Sequence, residues 1–291
     1  MSAEIQIPEY ARIAMKALNE NGFSAFVVGG CVRDSIMGKI ANDWDMTTSA
    51  TPEETLEVFK DFRTIPTGIK HGTITVLIDR QPLEITTFRI DGTYTDNRRP
   101  DNVNFTRNIE NDLSRRDFTV NAMAYSEKYG LVDLFGGVKD IENKIIRCVG
   151  EPDKRFQEDA LRIMRAIRFS SVLGFEIEKE TADSIRRNKH LLKNIAAERI
   201  RVELEKLLLG DDAERVLLEF SDVIFEIIPE LKATSGVKQN CPYHIYDVWH
   251  HIVKSVASGE KNKYVRLAML LHDIGKFDVK KRVLKAKHVY N

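Results

Sequence analysis

The chain has 291 residues, with 44 Lys+Arg against 44 Asp+Glu, 43% hydrophobic and 30% charged side chains. That balance excludes a disordered tail, a collagen and a coiled coil, and no run of about 18 apolar residues exists to form a membrane-spanning helix. The N-terminal MSAEIQIPEY lacks a basic stretch followed by an apolar core, so no secretory signal is expected; the scattered cysteines Cys31, Cys148 and Cys241 fit a reducing cytoplasm. A zero net charge argues at first sight against a nucleic-acid partner. By segment, however, residues 1–60 carry 5 basic and 9 acidic side chains and residues 261–291 carry 9 and 2, so zero is a sum of opposite regions. Phosphate contacts depend on local basic clusters, and the total excludes only a uniformly basic surface.

Ala11, Ile13, Ala14, Ala17 and Leu18 recur at helical spacing and predict a helix over 8–21, closed by Asn21-Gly22. Residues 23–30 form a short β-rich run ending in two glycines, and residues 31–37 read as the following helix, closed by Gly38. Residues 72–78 and 83–90 alternate in strand fashion and predict a hairpin around Asp79-Arg80-Gln81-Pro82. Residues 91–108 lack periodicity and read as a long polar loop. Beyond Gly150-Glu151-Pro152, helical periodicity covers 156–173, 179–194, 196–209, 212–227 and 248–258, and no strand is expected. The expected organisation is an α+β head over 1–148 with a small mixed sheet and helices, an all-α part over 149–235, and a further segment over 236–291.

Three constellations carry chemistry. The first is Gly29-Gly30-Cys31-Val32-Arg33-Asp34 followed by Asp43-Trp44-Asp45. Residues i and i+2 of a strand share a face with Cα atoms about 7 Å apart, so two carboxylates can grip one hard cation. A Gly-Gly turn lets backbone N–H groups approach a phosphate, and Arg33 adds a charged fork. Together these describe an Mg²⁺–triphosphate site, although either piece alone is more often a tight turn or a polar loop. Glu84 supplies a third carboxylate, or a partner to the first two, if its hairpin packs beside them.

The second constellation runs from Leu113 to Ala122. Arg115 and Arg116 suit a triphosphate or a base edge, and Asp117 and Asn121, four apart on one turn, can fix them or touch a ribose. The plainer reading is a helix start capped by Ser114. In the third, Asp159, Arg162, Arg165 and Arg168 form a polar stripe while Leu161, Met164, Ile167 and Phe169 face a core. Asp159 and Arg162 can simply pair as i,i+3 neighbours. An acceptor beside a donor can also read the Watson–Crick edge of a nucleobase, with the other arginines holding phosphates.

In order, Gly29-Gly-x-Val-Arg33-Asp34, Asp43-x-Asp45, Arg115-Arg-Asp-Phe-Thr-Val-Asn-Ala122, Asp133-Leu-Phe-Gly-Gly137 and Glu158-Asp159-x-x-Arg162 resemble the motifs of bacterial class II tRNA nucleotidyltransferases, the CCA-adding enzymes, and their poly(A) polymerase relatives. The resemblance implies a polymerase-β-like head with helical neck and body, and addition of C, C and A to the tRNA acceptor end from CTP and ATP without a nucleic-acid template. It implies that Asp43 and Asp45 hold Mg²⁺, that Gly30, Arg33 and Arg116 contact the nucleotide, and that Asp159 and Arg162 pair with the base, with Arg165 and Arg168 completing the pocket. It also places at 91–104 a flexible loop that switches the pocket from CTP to ATP.

Further on, Asp247-Val-Trp-His250-His251 and Leu271-His272-Asp273-Ile-Gly-Lys276 resemble the opening of an HD phosphohydrolase domain, with His251, His272 and Asp273 as metal ligands. HD domains close their site with a later Asp, so a truncated or degenerate segment without hydrolase activity is expected. The rival readings are a poly(A) polymerase, a CC- or A-adding enzyme, an HD-type metal phosphohydrolase and a non-catalytic RNA-binding remnant. Oligomeric state is not legible from these residues.

Overall fold

The computed structural model describes residues 5–41, 43–92, 94, 102–237 and 246–276. The described residues divide into two compact units between Glu158 and Asp159.

Unit one opens with α1 (Glu9–Glu20), then β1 (Ala25–Val28), α2 (Gly30–Ile36), β2 (Asp45–Thr48), α3 (Pro52–Val58), β3 (Arg63–Gly68), β4 (Thr73–Ile78) and β5 (Gln81–Thr87). It continues with β6 (Arg89–Asp91), β7 (Val103–Phe105), α4 (Ile109–Ser114), β8 (Met123–Ser126), β9 (Gly130–Asp133), α5 (Gly137–Glu142), β10 (Ile145–Ile146) and α6 (Pro152–Glu158). Seven strands form one sheet in the order β3-β4-β5-β2-β1-β8-β9. Only the β2–β5 pair is parallel; every other neighbour is antiparallel.

The period-2 pattern splits the strands into two faces. Ile74, Ile85, Met46 and Val27 lie in one row of the register and are all buried. Glu84, Asp45 and Val28 lie in the next row, on the opposite face. On that face Val28 joins Phe26, Phe88, Leu113 and Ala124 in a buried cluster, which seats α4 against the sheet. The head expected from sequence is thus a mixed sheet with helices.

Several local expectations need correction. The hairpin turn is only Asp79-Arg80, both at positive φ (49° and 65°), and Pro82 lies inside β5 near its start, where the strand ladder tolerates a missing donor. β5 stops at Thr87; Arg89–Asp91 leaves to pair with Val103–Phe105 as a separate ribbon, so the ends of the stretch expected as an unpaired polar loop are strands. Its central residues, 93 and 95–101, lie outside the described residues. Two elements had no periodic signal: β3, whose Arg63-Thr-Ile-Pro-Thr-Gly68 does not alternate in burial, and α3, a seven-residue helix whose Thr51/Glu54 capping box is nonetheless in the sequence.

Unit two contains α7 (Leu161–Leu173), β11 (Glu176–Ile177), α8 (Lys179–Asn188), α9 (Ala197–Leu208), α10 (Ala213–Glu219), α11 (Ser221–Ile227), α12 (Pro229–Lys232), α13 (Val248–Ser258) and α14 (Lys263–Leu271). It is helical as expected, with β11 as the exception. The expected 156–173 helix is two, α6 and α7, broken at Asp159-Ala160; the expected 212–227 helix breaks at Phe220; the end of the 179–194 helix tightens into a 3₁₀ turn over Lys189–Asn194. Ile163, Met164 and Ile167 of α7 and Leu204, Leu207 and Leu208 of α9 are buried where the two helices pack. Cys241 and residues 277–291 lie outside the described residues.

Candidate active site and base-reading stripe

The first constellation assembles at one end of the sheet. Gly29 ends β1 at φ +83°, a conformation L side chains rarely adopt, and a Cβ there would stand 3.3 Å from Arg116 Nη1. The backbone angle favours glycine there, and any Cβ would also press the Arg116 guanidinium aside by a few tenths of an ångström. Val28, immediately before it, is the register partner of Asp45, and Asp45 is the parallel partner of Glu84. The hairpin does pack beside the aspartates, bringing Glu84 next to Asp45. Asp43 and Asp45 are exposed while Trp44 between them is buried, so the strand alternation expected for the pair extends one turn of the pleat before β2 begins.

The Asp45 carboxylate is poorly neutralised. The surrounding protein withdraws water from Asp45 even though its edge is exposed, and this desolvation, with the charges of Asp43 and Glu84, pushes its pKa up to about 6 against the pull of Arg116. Carboxylates that repel Asp45 are oxygen donors of the type a hard divalent cation takes, and such an ion would replace repulsion with attraction.

The arginines are held by a residue that periodicity did not single out. Asp112, fully buried on α4, accepts from Arg115 Nε and Nη2 at 3.0 and 2.7 Å through Oδ1, and from Arg116 Nη2 at 3.3 Å and Thr47 Oγ1 at 3.2 Å through Oδ2. Burial would push this carboxyl up, but Arg115 and Arg116 outweigh it and hold it below the ordinary value. Thr47 lies two residues after Asp45 on the same strand face, so Asp112 ties the arginines to the strand bearing the acidic pair. Arg116 Nε is buried without a hydrogen-bond partner among the described residues. Ser114 is not a cap: α4 begins after Asn108, whose side chain accepts from Glu110 N–H, and ends at Ser114, so the arginines leave from a helix C-terminus.

Asn121 lies in a 3₁₀ turn, Thr119–Asn121, and its amide meets Asp117 Oδ1 at 3.3 Å. The arginine it fixes is Arg33, whose Nη1 donates to Asn121 Oδ1 at 2.5 Å while Nε and Nη2 meet Asp34 at 2.9 and 2.8 Å. Arg33 is buried and committed to these partners, beside Gly30. Asp133 has a structural reason of its own: its two oxygens accept from Gly137 and Val138 N–H and anchor α5.

In unit two, Asp159 sits in the break before α7, its Oδ1 accepting from Leu161 N–H at 3.1 Å. The cation paired with its Oδ2 is Arg199 of α9 at 3.4 Å, a partner that local i,i+3 reasoning missed. Arg162 is buried rather than part of a solvated stripe, Arg165 lies 5.4 Å and Arg168 3.6 Å from the Phe169 ring centroid, and Arg168 Nε donates to Glu203 Oε2 at 2.7 Å. Farther along, His251, His272 and Asp273 bring their ligand atoms within 4.8 Å of one another. His251 Nε2 and His272 Nε2 stand 3.4 and 3.2 Å from Asp273 Oδ2, and Lys276 Nζ stands 2.6 Å from the same oxygen.

A mixed sheet with paired aspartates beside a Gly-Gly turn, followed by helices, defines a polymerase-β-like nucleotidyltransferase fold. Residues 25–147 match the family described as "Poly A polymerase head domain", and residues 174–234 the family described as "Probable RNA and SrmB- binding site of polymerase A". The chain belongs to the poly(A) polymerase and CCA-adding nucleotidyltransferase family. It is 50% identical over 208 residues, 72% of its length and 51% of the relative's, to the CCA-adding enzyme of Ligilactobacillus salivarius. A crystal structure of the Bacillus stearothermophilus CCA-adding enzyme in complex with CTP superposes with a TM-score of 0.74 at 38% identity, covering 93% of this chain and 64% of that one. A tRNA nucleotidyltransferase complexed with a primer tRNA and an incoming ATP analog superposes with a TM-score of 0.65 at 28% identity, covering 89% and 75%. The chain spans about half the length of the curated relatives it matches.

Proposed function

We propose that this protein adds C, C and A to the 3′ end of tRNA from CTP and ATP without a nucleic-acid template. The observation that carries the reading is the acidic edge Asp43–Asp45–Glu84 beside the Gly29–Gly30 turn and Arg116. Asp43 and Asp45 would hold Mg²⁺, with Glu84 as a third donor or their neighbour. When bound, that ion supplies Lewis-acid activation of the attacking hydroxyl and neutralises charge on the phosphates.

The chain's own residues do the rest. Gly29 and Gly30 leave room for a triphosphate against the backbone, and Arg116, held by Asp112, offers donors to developing negative charge. Arg33 braces that turn through Asp34 and Asn121 and contributes positive charge. The tRNA 3′-hydroxyl attacks the α-phosphorus in line and pyrophosphate leaves, so no side-chain nucleophile is needed. Asp159 and Arg162 read the base, and Arg165 and Arg168 complete the pocket. Residues 1–148 would be the nucleotidyltransferase head, 149–235 the helical neck and body and 236–291 an HD-like segment, in a protein working in the cytoplasm.

Purified protein given tRNA lacking its CCA end, Mg²⁺, CTP and ATP is expected to add two C and one A and stop. Unlimited A addition would make it a poly(A) polymerase, C alone a CC-adding enzyme, and no addition would sink the reading. A second reading, a metal phosphohydrolase, is favoured by the close approach of His251, His272 and Asp273. Phosphate release from 2′,3′-cyclic substrates that survives Asp43→Ala would support it.

A further inference from the structure

Strand alternation leaves Asp43 and Asp45 exposed and turns Trp44, only 8% exposed, to the other side of the chain. There Trp44 lines a cleft of about 550 Å³ together with Ile7-Pro8, the end of α2 and Lys39-Ile40-Ala41, all within unit one. Neither aspartate lines it. Its size falls in the range of roughly 300–1,000 Å³ typical of small-molecule sites. The uncharged polar side chains of the lining are Gln6 and Ser35, and the Ser35 hydroxyl already donates to Cys31 O at 2.7 Å. Ile40, at the rim, is 89% exposed, the most exposed large apolar side chain among the described residues.

Lys39 is the one charged side chain of this lining, and it makes no ion pair among the described residues. The indole N–H of Trp44 likewise donates to no group among them. The end of α2 does not oppose a negative charge in full, because the carbonyls of Arg33, Asp34 and Ser35 accept from Met37, Lys39 and Gly38 N–H. We propose that this cleft is a second binding site, separate from the acidic edge, for a flat aromatic anion. The ring lies against the Trp44 indole and the aliphatic wall, and the charge meets the Lys39 ammonium. A cationic ligand would be repelled by Lys39, and an aliphatic anion would leave the face of the indole without a partner of its own shape. Seating a ring there also covers Ile40, apolar surface that otherwise stays in water.

The test titrates 1-naphthoate into the full-length protein labelled with nitrogen-15, whose two tryptophans, Trp44 and Trp249, give two indole N–H resonances. Trp44→Phe identifies the resonance of Trp44 by its loss. The expected result is a saturable shift of that resonance with a Kd of about 1 mM, while the resonance of Trp249 stays in place. Lys39 is exposed, so reversing its charge leaves the fold intact; Lys39→Glu is expected to weaken binding at least about tenfold, and the neutral 1-naphthalenemethanol to bind as weakly. No saturable shift at Trp44 would overturn the proposal, as would a shift that Lys39→Glu leaves unchanged or that the neutral alcohol reproduces at equal concentration. Mg²⁺ and CTP should leave the probe bound, whereas its displacement by them would place it at the acidic edge and end the claim of a second site. Binding of the probe at Trp44 by a protein that takes no CTP would instead sink the proposed transfer reaction and leave this site standing.

Discussion

The acidic edge of the sheet and the histidine–aspartate cluster of the helical unit both gather side chains of metal-ligating type, yet they meet their own charge differently. At the sheet, Asp43 and Glu84 both act on Asp45, with Arg116 as the cation that opposes their repulsion, and Asp45 is pushed up to about 6. In the helices, two imidazoles and a protein ammonium surround a single carboxylate, Lys276 lying 2.6 Å from Asp273. The first site is short of positive charge and offers only oxygen, the donor set of Mg²⁺. The second carries its own cation and offers nitrogen, the donor set of a transition metal. A bound Mg²⁺ would therefore change the charge balance of the sheet edge more than that of the histidine cluster.

The sharpest way to break this comparison is to remove each set in turn. Asp43→Ala or Asp45→Ala is expected to lower nucleotide addition by at least about 10³-fold, while His251→Ala and Asp273→Ala leave addition within about twofold of wild type. Single-turnover extension of a tRNA primer measures both. Equal losses from the two sets would merge the sites into one function and end the distinction.

A smaller effect tests the link between the acidic strand and its arginines. Asp112 is fully buried between Arg115, Arg116 and Thr47, so Asp112→Asn takes a buried counter-charge from two mostly buried guanidinium groups, Arg115 keeping the more distant Asp91 at 3.8 Å. Urea denaturation at pH 7 is expected to show a loss of about 3 kcal/mol. Because the folded pKa of Asp112 lies below its ordinary value, the stability it contributes is present above about pH 4 and fades as pH falls through the folded pKa. The gap between wild type and Asp112→Asn should therefore narrow in acid. A gap that widens there would mean that the carboxylate is not stabilised by its arginines.

The two regions also differ in how much was legible beforehand. Asp43, Asp45, Gly29 and Gly30 could be read because their logic is local: strand alternation, a turn and a short spacing. Glu84 was legible conditionally, since its place beside Asp45 depended on the parallel pairing of two strands separated by a whole hairpin and helix. Arg199 and Glu203 were passed over because their partners, Asp159 and Arg168, lie on other elements, as Thr47 does for Asp112, and periodicity reports a face without saying what meets it. An Asp three and four residues before two adjacent arginines was the one available signal for Asp112. Ser114 misled because a hydroxyl residue before a charged run marks a helix start, whereas tertiary packing of Leu113 places the helix before it.

The histidine cluster can be probed from the opposite direction, by removing the cation it carries. Lys276 occupies Asp273 Oδ2, so a metal binding through His251, His272 and Asp273 must compete with an ammonium. Lys276→Met is expected to raise Co²⁺ affinity about tenfold, read from the visible absorption of the Co²⁺ complex, without changing nucleotide addition. Weaker binding in the variant would show that Lys276 supports the ligand set instead of opposing a metal.

The smallest expected effect concerns the stability cost of the acidic edge. A carboxyl whose folded pKa is raised binds its proton more tightly folded than unfolded, so the fold is favoured at low pH and loses that advantage as pH rises from about 4, the ordinary value, to about 6. Asn at position 45 cannot ionise and keeps the advantage. Asp45→Asn should therefore match wild type below about pH 4 and become more stable through that window, with a plateau of about 1 kcal/mol above it once solvent screening of the exposed carboxyl is allowed for. Thermal unfolding across pH measures the gap, and Mg²⁺ should close it by stabilising wild type and not the variant. If the gap persists in Mg²⁺, the repulsion between Asp43, Asp45 and Glu84 is not relieved by the ion, and the acidic edge is not the site that holds it.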